Sequence, residues 1–439
     1  MEIKNNKKII RGWAMFDWAN SAYNLVITST IFPAYYTIIT TTKEHGDKVS
    51  FFGIRFVNTA LSNYALAVAY LIMAILLPVL SSIADYRGNK KNYMQFFTYL
   101  GGAACIALFF FKLETLELGI ICSSIAAMGY IGGVLFNNSY LPEIATVDQQ
   151  DKVSAQGFSY GYVGSVLLQI ICFIFILKPE LFGITDSSFA PRLSFLLVGI
   201  WWIAFAQIPF KVLPKGSPNA ENLNRNVIRS GFQELSKVWS QVKHMKVLKR
   251  FLIAFLFYSM GVQTVMLVAA NFGEKVLHLG TAKLIATILI IQLVAILGAY
   301  IMSYFATKIG NLKVIIAVLL IWIGVCLAAY SISSEVQFYG LATVVGLVMG
   351  GIQSISRSTY SKFLPSDSPD TTSFFSFYDV TEKLAIVIGL FSFGFIEEFT
   401  GNMRNSVLIL ALFFLIGLLV LLSVVGYDKK LSFKQQPEY

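Results

Sequence analysis

Charged side chains are scarce in this sequence of 439 residues, where Asp, Glu, Lys and Arg together make up only 13%. Soluble globular proteins carry about 25% charged residues. Hydrophobic residues account for 56% of the chain, and the mean hydropathy is +0.67. A soluble protein of ordinary composition is therefore excluded, and the composition indicates a membrane protein.

Cysteine and histidine are also rare. The four cysteines, Cys105, Cys122, Cys172 and Cys326, lie in apolar runs without a CxxC pair, and the three histidines form no cluster. The chain contains no P-loop or HExxH motif. The sequence therefore predicts no metal, no cofactor, no catalytic residues and no enzymatic activity.

The net charge of +10 comes from basic residues in short segments between apolar runs. No basic domain is present, so these residues indicate membrane orientation and not a nucleic-acid partner. If the N-terminus is cytoplasmic, about 24 of the 34 Lys and Arg residues fall on the cytoplasmic side and about nine on the other. This asymmetry predicts a multi-pass protein of the cell membrane with both termini in the cytoplasm.

Twelve apolar runs are each close to the ~20 residues that a helix needs to cross a bilayer. Their predicted limits are 13–40, 58–83, 93–111, 117–138, 156–177, 193–212, 251–270, 282–305, 314–332, 338–359, 374–396 and 405–426. The fold class that follows is an all-α membrane protein with twelve transmembrane helices in two pseudo-symmetric six-helix bundles.

The longest polar stretch divides the spans six and six. We predict an N-terminal bundle at 1–212, a cytoplasmic linker at 213–249, and a C-terminal bundle with a short tail at 250–439. In the linker, apolar residues from Ile228 to Val242 recur at helical spacing among lysines and arginines. This pattern is typical of a basic amphipathic helix on the membrane surface, although a connector helix packed under the bundle has the same pattern.

Short segments recur in the two halves in the same order. DYRGNKK at 85–91 and TKIGNLK at 307–313 each follow the second span of a half, and SYLP at 139–142 corresponds to SKFLP at 361–365. These echoes indicate duplication. Transporters with repeated halves bind substrate between the halves, near the membrane midplane.

The first span carries polar residues along its length. Asp17, Ser21, Asn24 and Thr28 are spaced as one face of an α-helix, and Asn20 lies beside them. A charge at mid-membrane costs at least about 2.5–3.5 kcal/mol on insertion scales. We therefore expect this stripe to face the protein interior. Asp17 is a candidate for proton or substrate binding, and the alternative is a tether to a neighbour such as Arg11.

Ionisable residues are densest in the eleventh span, which holds Asp379, Glu382 and Lys383. An Asp379–Lys383 pair at i and i+4 would bridge on one helix face. This trio is either a self-satisfied ion pair or a site for a zwitterion, with Lys383 on a carboxylate and an acid on an amine or proton. Gln353 and Arg357 in the tenth span are further candidates, for an anionic substrate, a gate or lipid headgroups.

The loop after the second span resembles the signature of the major facilitator superfamily. That loop reads SSIADYRGNKK at 81–91, with Asp85 three residues before Gly88 and basic residues following. The sequence departs from the common form at Ser81 and Tyr86. The resemblance implies that Asp85, Arg87, Gly88 and Lys90 form a gating loop.

A narrower resemblance links the chain to the autophagy-related vacuole effluxer family. It rests on GWAMFDWANSAYNLVITSTIFPAYY at 12–36, RSTYSKFLP at 357–365 and FYDVTEKLAIVIG at 377–389. The resemblance implies a transporter and favours amino acids among small polar substrates.

The sequence thus predicts a secondary transporter of a small-molecule solute in the lipid bilayer, working by alternating access with proton coupling. A monomer is favoured. The alternatives are a lipid-handling protein or membrane enzyme that uses the central cavity, and a non-transporting sensor that signals through the linker helix.

Overall fold

The computed structural model describes residues 3–41, 46–216, 227–365 and 368–434. The chain divides into two compact units. The first unit comprises residues 1–140 and 160–231, and the second comprises 141–159 and 232–439. Residues 217–226 of the predicted linker lie outside the described residues.

Helices account for almost all the regular structure. The first half contains α1 Lys7–Ala22, a π-helix Tyr23–Ile31, α2 Phe32–Thr40, strands β1 Lys48–Phe51 and β2 Ile54–Val57, α3 Asn58–Arg87, α4 Lys90–Ala107, α5 Leu116–Asn138, α6 Leu141–Ile144, α7 Gln150–Leu177 and α8 Phe189–Val212. The second half contains α9 Val227–His244, α10 Lys246–Leu277, α11 Thr281–Ile309, α12 Asn311–Ser331, α13 Glu335–Phe363, α14 Thr371–Thr400 and α15 Met403–Lys434. Short 3₁₀ turns lie at Leu108–Phe110, Leu113–Thr115 and Pro179–Phe182.

Ten of the described helical stretches are long and apolar enough to cross a membrane. The two remaining predicted spans lie in the helical stretch 7–40 and in α14. These two stretches contain the ionisable residues that the sequence placed at membrane depth. The predicted all-α membrane fold of two six-helix bundles is confirmed.

Glycines allow the closest helix contacts in both units, as the small-xxx-small spacing of several pairs predicts. In the first unit, a Cβ added to Gly129 of α5 would lie 2.5 Å from Gly101 Cα of α4. In the second unit, a Cβ on Gly350 of α13 would lie 2.0 Å from the Ala295 carbonyl oxygen of α11. Any larger residue at these positions would push the helices apart.

A β-hairpin between the first two spans was not predicted. β1 and β2 pair antiparallel around a two-residue turn at Phe52 and Gly53. Both turn residues have positive φ, 46° and 83°, as type I′ hairpin turns require.

The second unit includes the segment 141–159, which joins the fourth and fifth spans in sequence order. This segment contains α6 and the first turns of α7, and it contributes several buried polar residues to the second unit.

Candidate functional site

Asp17 is buried in the first unit, with 8% of its surface exposed. Asn137 Nδ2 at the end of α5 donates a hydrogen bond to Asp17 Oδ1 over 3.3 Å. The main chain of Asn137 is fixed in turn, since Trp13 Nε1 donates to its carbonyl oxygen over 2.8 Å. The Asp17 side chain is therefore hydrogen-bonded to a neutral amide of α5, and this bond links α1 to α5.

The next polar residues of the first span face other helices as well. Asn20 is only 1% exposed, and Ser21 is half-buried. A Cβ added to Gly161 of α7 would lie 2.5 Å from Ser21 Oγ. The polar side of α1 therefore packs closely against α7, which places it in the interior of the first unit.

The first span is not α-helical throughout, which corrects the continuous helix predicted over 13–40. Residues Tyr23–Ile31 form a π-helix, with hydrogen bonds that reach five residues instead of four. Ser29 Oγ donates to the Asn24 carbonyl over 2.9 Å, and Thr30 Oγ1 donates to the Leu25 carbonyl over 2.8 Å. These two hydroxyls bind carbonyls five residues back, so they support the wider turn.

The π-helix changes which residues share a face. The α-helical spacing that united Asp17, Ser21, Asn24 and Thr28 ends at Ala22. Asn24 and Thr28 are half-buried, and Thr30 also donates to Gln169 Oε1 of α7 over 3.0 Å. The consecutive β-branched and hydroxyl residues from Val26 to Ile31 were the available signal, because such residues fit a regular α-helix poorly.

The second unit holds a charge pair in α14. Lys383 Nζ donates to Glu382 Oε2 over 2.6 Å, and Gln263 Nε2 of α10 donates to Glu382 Oε1 over 2.9 Å. Lys383 is buried, and the Glu382 side chain is 20% exposed. Lys383 thus contacts the adjacent acid, and the Asp379–Lys383 bridge at i and i+4 stays a prediction. Asp379 itself is 1% exposed.

Arg357 of α13 is buried and tied to the first turns of α7. Its Nε donates to Ser154 Oγ over 3.0 Å, and a terminal nitrogen donates to the Ser154 carbonyl over 2.8 Å. Its guanidinium also lies 4.2 Å from the centre of the Phe158 ring. Gln353, one turn earlier, donates to Met266 Sδ over 3.3 Å. These contacts hold Arg357 in the interior of the second unit.

Asp151 forms a buried network that the sequence analysis missed. Its two oxygens accept from Asn311 Nδ2 over 2.7 Å and from Lys362 Nζ over 2.6 Å. Asn311 follows Gly310 in the second copy of the loop motif, where Thr307 occupies the place of the acid. The Asp151 carboxylate of the 141–159 segment thus contacts the second loop copy, which has Thr307 where the first copy has Asp85.

The first loop copy, predicted to be a gating loop, contains Asp85, Arg87, Gly88 and Lys90. Gly88 ends α3 with φ 62°, and Gly310 ends α11 with φ 90°, so both copies end a helix at a glycine with positive φ. Lys90 is buried, and its Nζ lies 4.0 Å from the centre of the Tyr140 ring. Asp85 is half-buried and Arg87 is exposed.

Among the described residues, no group of three or more His, Cys, Asp and Glu residues could hold a metal ion. The polar clusters described above consist of carboxylates, amides, hydroxyls, two charge pairs and a buried arginine.

Comparison with curated proteins gives full-length relatives. An uncharacterised MFS-type transporter of Bacillus subtilis, YxiO, is 30% identical over 426 residues, covering 95% of each chain. Autophagy-related protein 22 of Saccharomyces cerevisiae is 24% identical over 496 residues, covering 96% of this chain and 91% of the yeast protein.

Solved structures share the fold at low sequence identity. The Escherichia coli fucose:proton symporter FucP matches with a TM-score of 0.66 at 14% identity, covering 95% of this chain and 97% of that chain. The proton:xylose symporter XylE matches with a TM-score of 0.67 at 12% identity, covering 95% of each chain.

The family model described as "Vacuole effluxer Atg22 like" matches residues 5–431. That match spans all twelve membrane helices and includes the motifs of the first, tenth and eleventh spans. The chain therefore belongs to the Atg22-like vacuole effluxer family, and it is a membrane transporter of the major facilitator superfamily.

Proposed function

We propose that this transporter carries a small dipolar solute, with amino acids as the preferred class, by alternating access. The observation that supports this most strongly is the Glu382–Lys383 pair of α14, to which Gln263 of α10 adds a hydrogen bond on Glu382. Amino acids carry a carboxylate and an ammonium a few ångströms apart. A site with adjacent charges of both signs complements that solute. On binding, Lys383 exchanges Glu382 for the substrate carboxylate, and Glu382 exchanges Lys383 for the substrate ammonium.

The position of the pair within a membrane span is a further argument for this role. Surface ion pairs are common and contribute little, but ionisable groups within a membrane span are costly and mark substrate or ion pathways. Glu382 keeps part of its surface exposed, so a solute can reach it without unfolding the bundle.

We further propose that Asp17 takes up the coupling proton, with the acids of the eleventh span as the alternative site. Asn137 binds Asp17 through an amide, which can donate to a carboxylate and can accept from a protonated carboxyl after a flip of the amide. Both protonation states therefore have a hydrogen-bonded partner. Such a group can be loaded and unloaded without losing its hydrogen-bonded partner.

The distribution of lysine and arginine supports a location in the cell membrane with both termini cytoplasmic. The linker between the halves and the loops with Gly88 and Gly310 then lie on the cytoplasmic side.

Lipid handling is the competing proposal. One cavity of the second unit is lined by apolar surface, including Phe272, Phe338 and Phe393, and its volume is about 60 Å³. An engineered apolar cavity of about 150 Å³ holds one benzene molecule. The cavity of the second unit is therefore too small for an acyl chain and lends the lipid proposal no support.

The test is uptake of labelled amino acids, peptides and sugars into proteoliposomes under an imposed pH gradient. We expect uptake of one or more amino acids and a loss of at least tenfold in Glu382→Gln. Glu397→Gln is the matched control, because Glu397 lies on the same helix and pairs with the exposed Lys275 over 2.8 Å. Equal loss in both variants, or amino-acid flux that survives Glu382→Gln, would remove the pair from the substrate site.

A further inference from the structure

The helix α9, Val227–His244, presents an apolar edge that the second unit leaves uncovered. Val238 and Val242 are buried, with 0% and 3% of their surfaces exposed, whereas Phe232 and Trp239 are 56% and 55% exposed. Phe232 and Trp239 are seven residues apart and therefore lie on one side of the helix, beside the buried valines. The apolar face of α9 is thus only partly used by packing within the protein.

The exposed aromatic residues lie next to positive charge. Lys243 follows Trp239 by four residues, so the two side chains are neighbours on the helix surface, and Lys243 is exposed. Lys246, Lys249 and Arg250 follow within the next two turns of the chain, at the start of α10. We call Phe232, Trp239 and Lys243 the aromatic–basic edge.

The connections of α9 place this edge at the depth of the lipid headgroups. Met245 is the only residue between α9 and α10, and α10 is a membrane span whose apolar stretch begins near Lys246. Lys237 of α9 pairs with Asp370 over 3.5 Å, one residue before α14 begins. The Trp239 ring lies 5.4 Å from the Phe377 ring of α14. The helix therefore lies across the ends of two membrane spans.

We propose that the aromatic–basic edge binds a surface of anionic phospholipid. Tryptophan and phenylalanine with flanking lysine, on a helix held at the membrane boundary, match the apolar and negatively charged layers that such a helix meets. An uncharged partner would offer Lys243 no opposite charge, whereas an anionic headgroup does. The buried valines anchor the helix to the second unit while the edge binds lipid.

The experiment uses the full-length protein with a spin label at Ser236→Cys, four residues after Phe232 and on the same edge. The four native cysteines are replaced by alanine, and gel filtration confirms that this background is folded. Accessibility of the label to a water-soluble nickel relaxant is measured in detergent, in phosphatidylcholine nanodiscs and in nanodiscs containing phosphatidylglycerol. We expect protection that rises with the phosphatidylglycerol fraction and is absent in detergent.

Two variants of equal charge change test the edge itself. Lys243→Gln removes one positive charge from the edge, and we expect its binding to anionic lipid to weaken about fivefold. Gln241→Glu also lowers the net charge by one but lies on the opposite side of the helix from Phe232, so we expect little change. Equal accessibility in the two lipids, equal effects of the two variants, or protection already in detergent, which would reveal a protein contact, would overturn the proposal.

Discussion

The first and eleventh spans both hold ionisable residues at membrane depth, yet they stabilise them differently. In the first span, Asp17 is hydrogen-bonded by the neutral amide of Asn137. In the eleventh, Glu382 is paired with Lys383 and hydrogen-bonded by Gln263. Asp17 thus contacts an amide, whereas Glu382 contacts both an ammonium and an amide.

In the function that we propose, this contrast gives the two spans different roles. The first suits the uptake and release of a proton, and the eleventh suits a solute that carries charges of both signs. The comparison also predicts a loss of stability when Lys383 is removed, because the Glu382 carboxylate would then lose its charged partner.

The largest effect is expected from Lys383→Met. Removing one partner of a buried ion pair typically costs about 3–5 kcal/mol, since the other charge remains without compensation. Lys275→Met is the control, because Lys275 and Glu397 form an exposed pair of the kind that contributes about 0–1 kcal/mol. Thermal unfolding of the purified variants checks this difference. Similar unfolding midpoints for both variants would show that Lys383 does not compensate the charge of Glu382 as the structure indicates.

The next effect concerns the segment 141–159. Asp151→Asn removes the negative charge opposite Lys362 and leaves one acceptor oxygen for the two donors, Lys362 and Asn311. Hydrogen bonds to charged groups contribute about 1.5–3 kcal/mol. We expect faster hydrogen exchange in residues 150–154 by a corresponding factor. Asp148→Asn is the control. Asp148 is fully exposed, and hydrogen bonds from Thr146 and Gln149 hold the pKa of its carboxyl below the usual range. Unchanged exchange in Asp151→Asn would exclude the network as the anchor of this segment.

Sequence reasoning was sufficient for the features that depend on long-range composition. The twelve spans and the two bundles follow from the length of the apolar runs, because a helix needs about 20 apolar residues to cross a bilayer. The paired ends of α3 and α11 at Gly88 and Gly310 follow from the repeated motif. These signals are periodic or repeated, so one sequence displays them.

The remaining features depend on contacts between distant residues. Asp151 is a single acid in a polar stretch, and nothing in the sequence shows that Lys362 and Asn311 surround it. Adjacent residues on a helix normally point apart, so the spacing did not predict the Glu382–Lys383 contact. The π-helix depends on small differences in backbone energy that hydropathy does not register.

The smallest effect is expected within the first span, from Thr30→Val. This change keeps the β-branched shape and removes a hydroxyl that binds the Leu25 carbonyl and Gln169. One such hydrogen bond contributes about 0.5–1.5 kcal/mol. Hydrogen exchange over residues 24–31 should rise about two- to tenfold, whereas Thr37→Val, at an exposed position of α2, should leave it unchanged. No difference between the variants would show that the π-helix does not need this hydroxyl.

The separation of roles between the two spans is tested most directly by comparing gradient-driven uptake with solute exchange in Asp17→Asn proteoliposomes. The account predicts that Asp17→Asn loses accumulation driven by a pH gradient but still exchanges labelled for unlabelled amino acid, while Glu382→Gln loses both and Asp47→Asn, an exposed control, loses neither. Accumulation at the wild-type level in Asp17→Asn would contradict it.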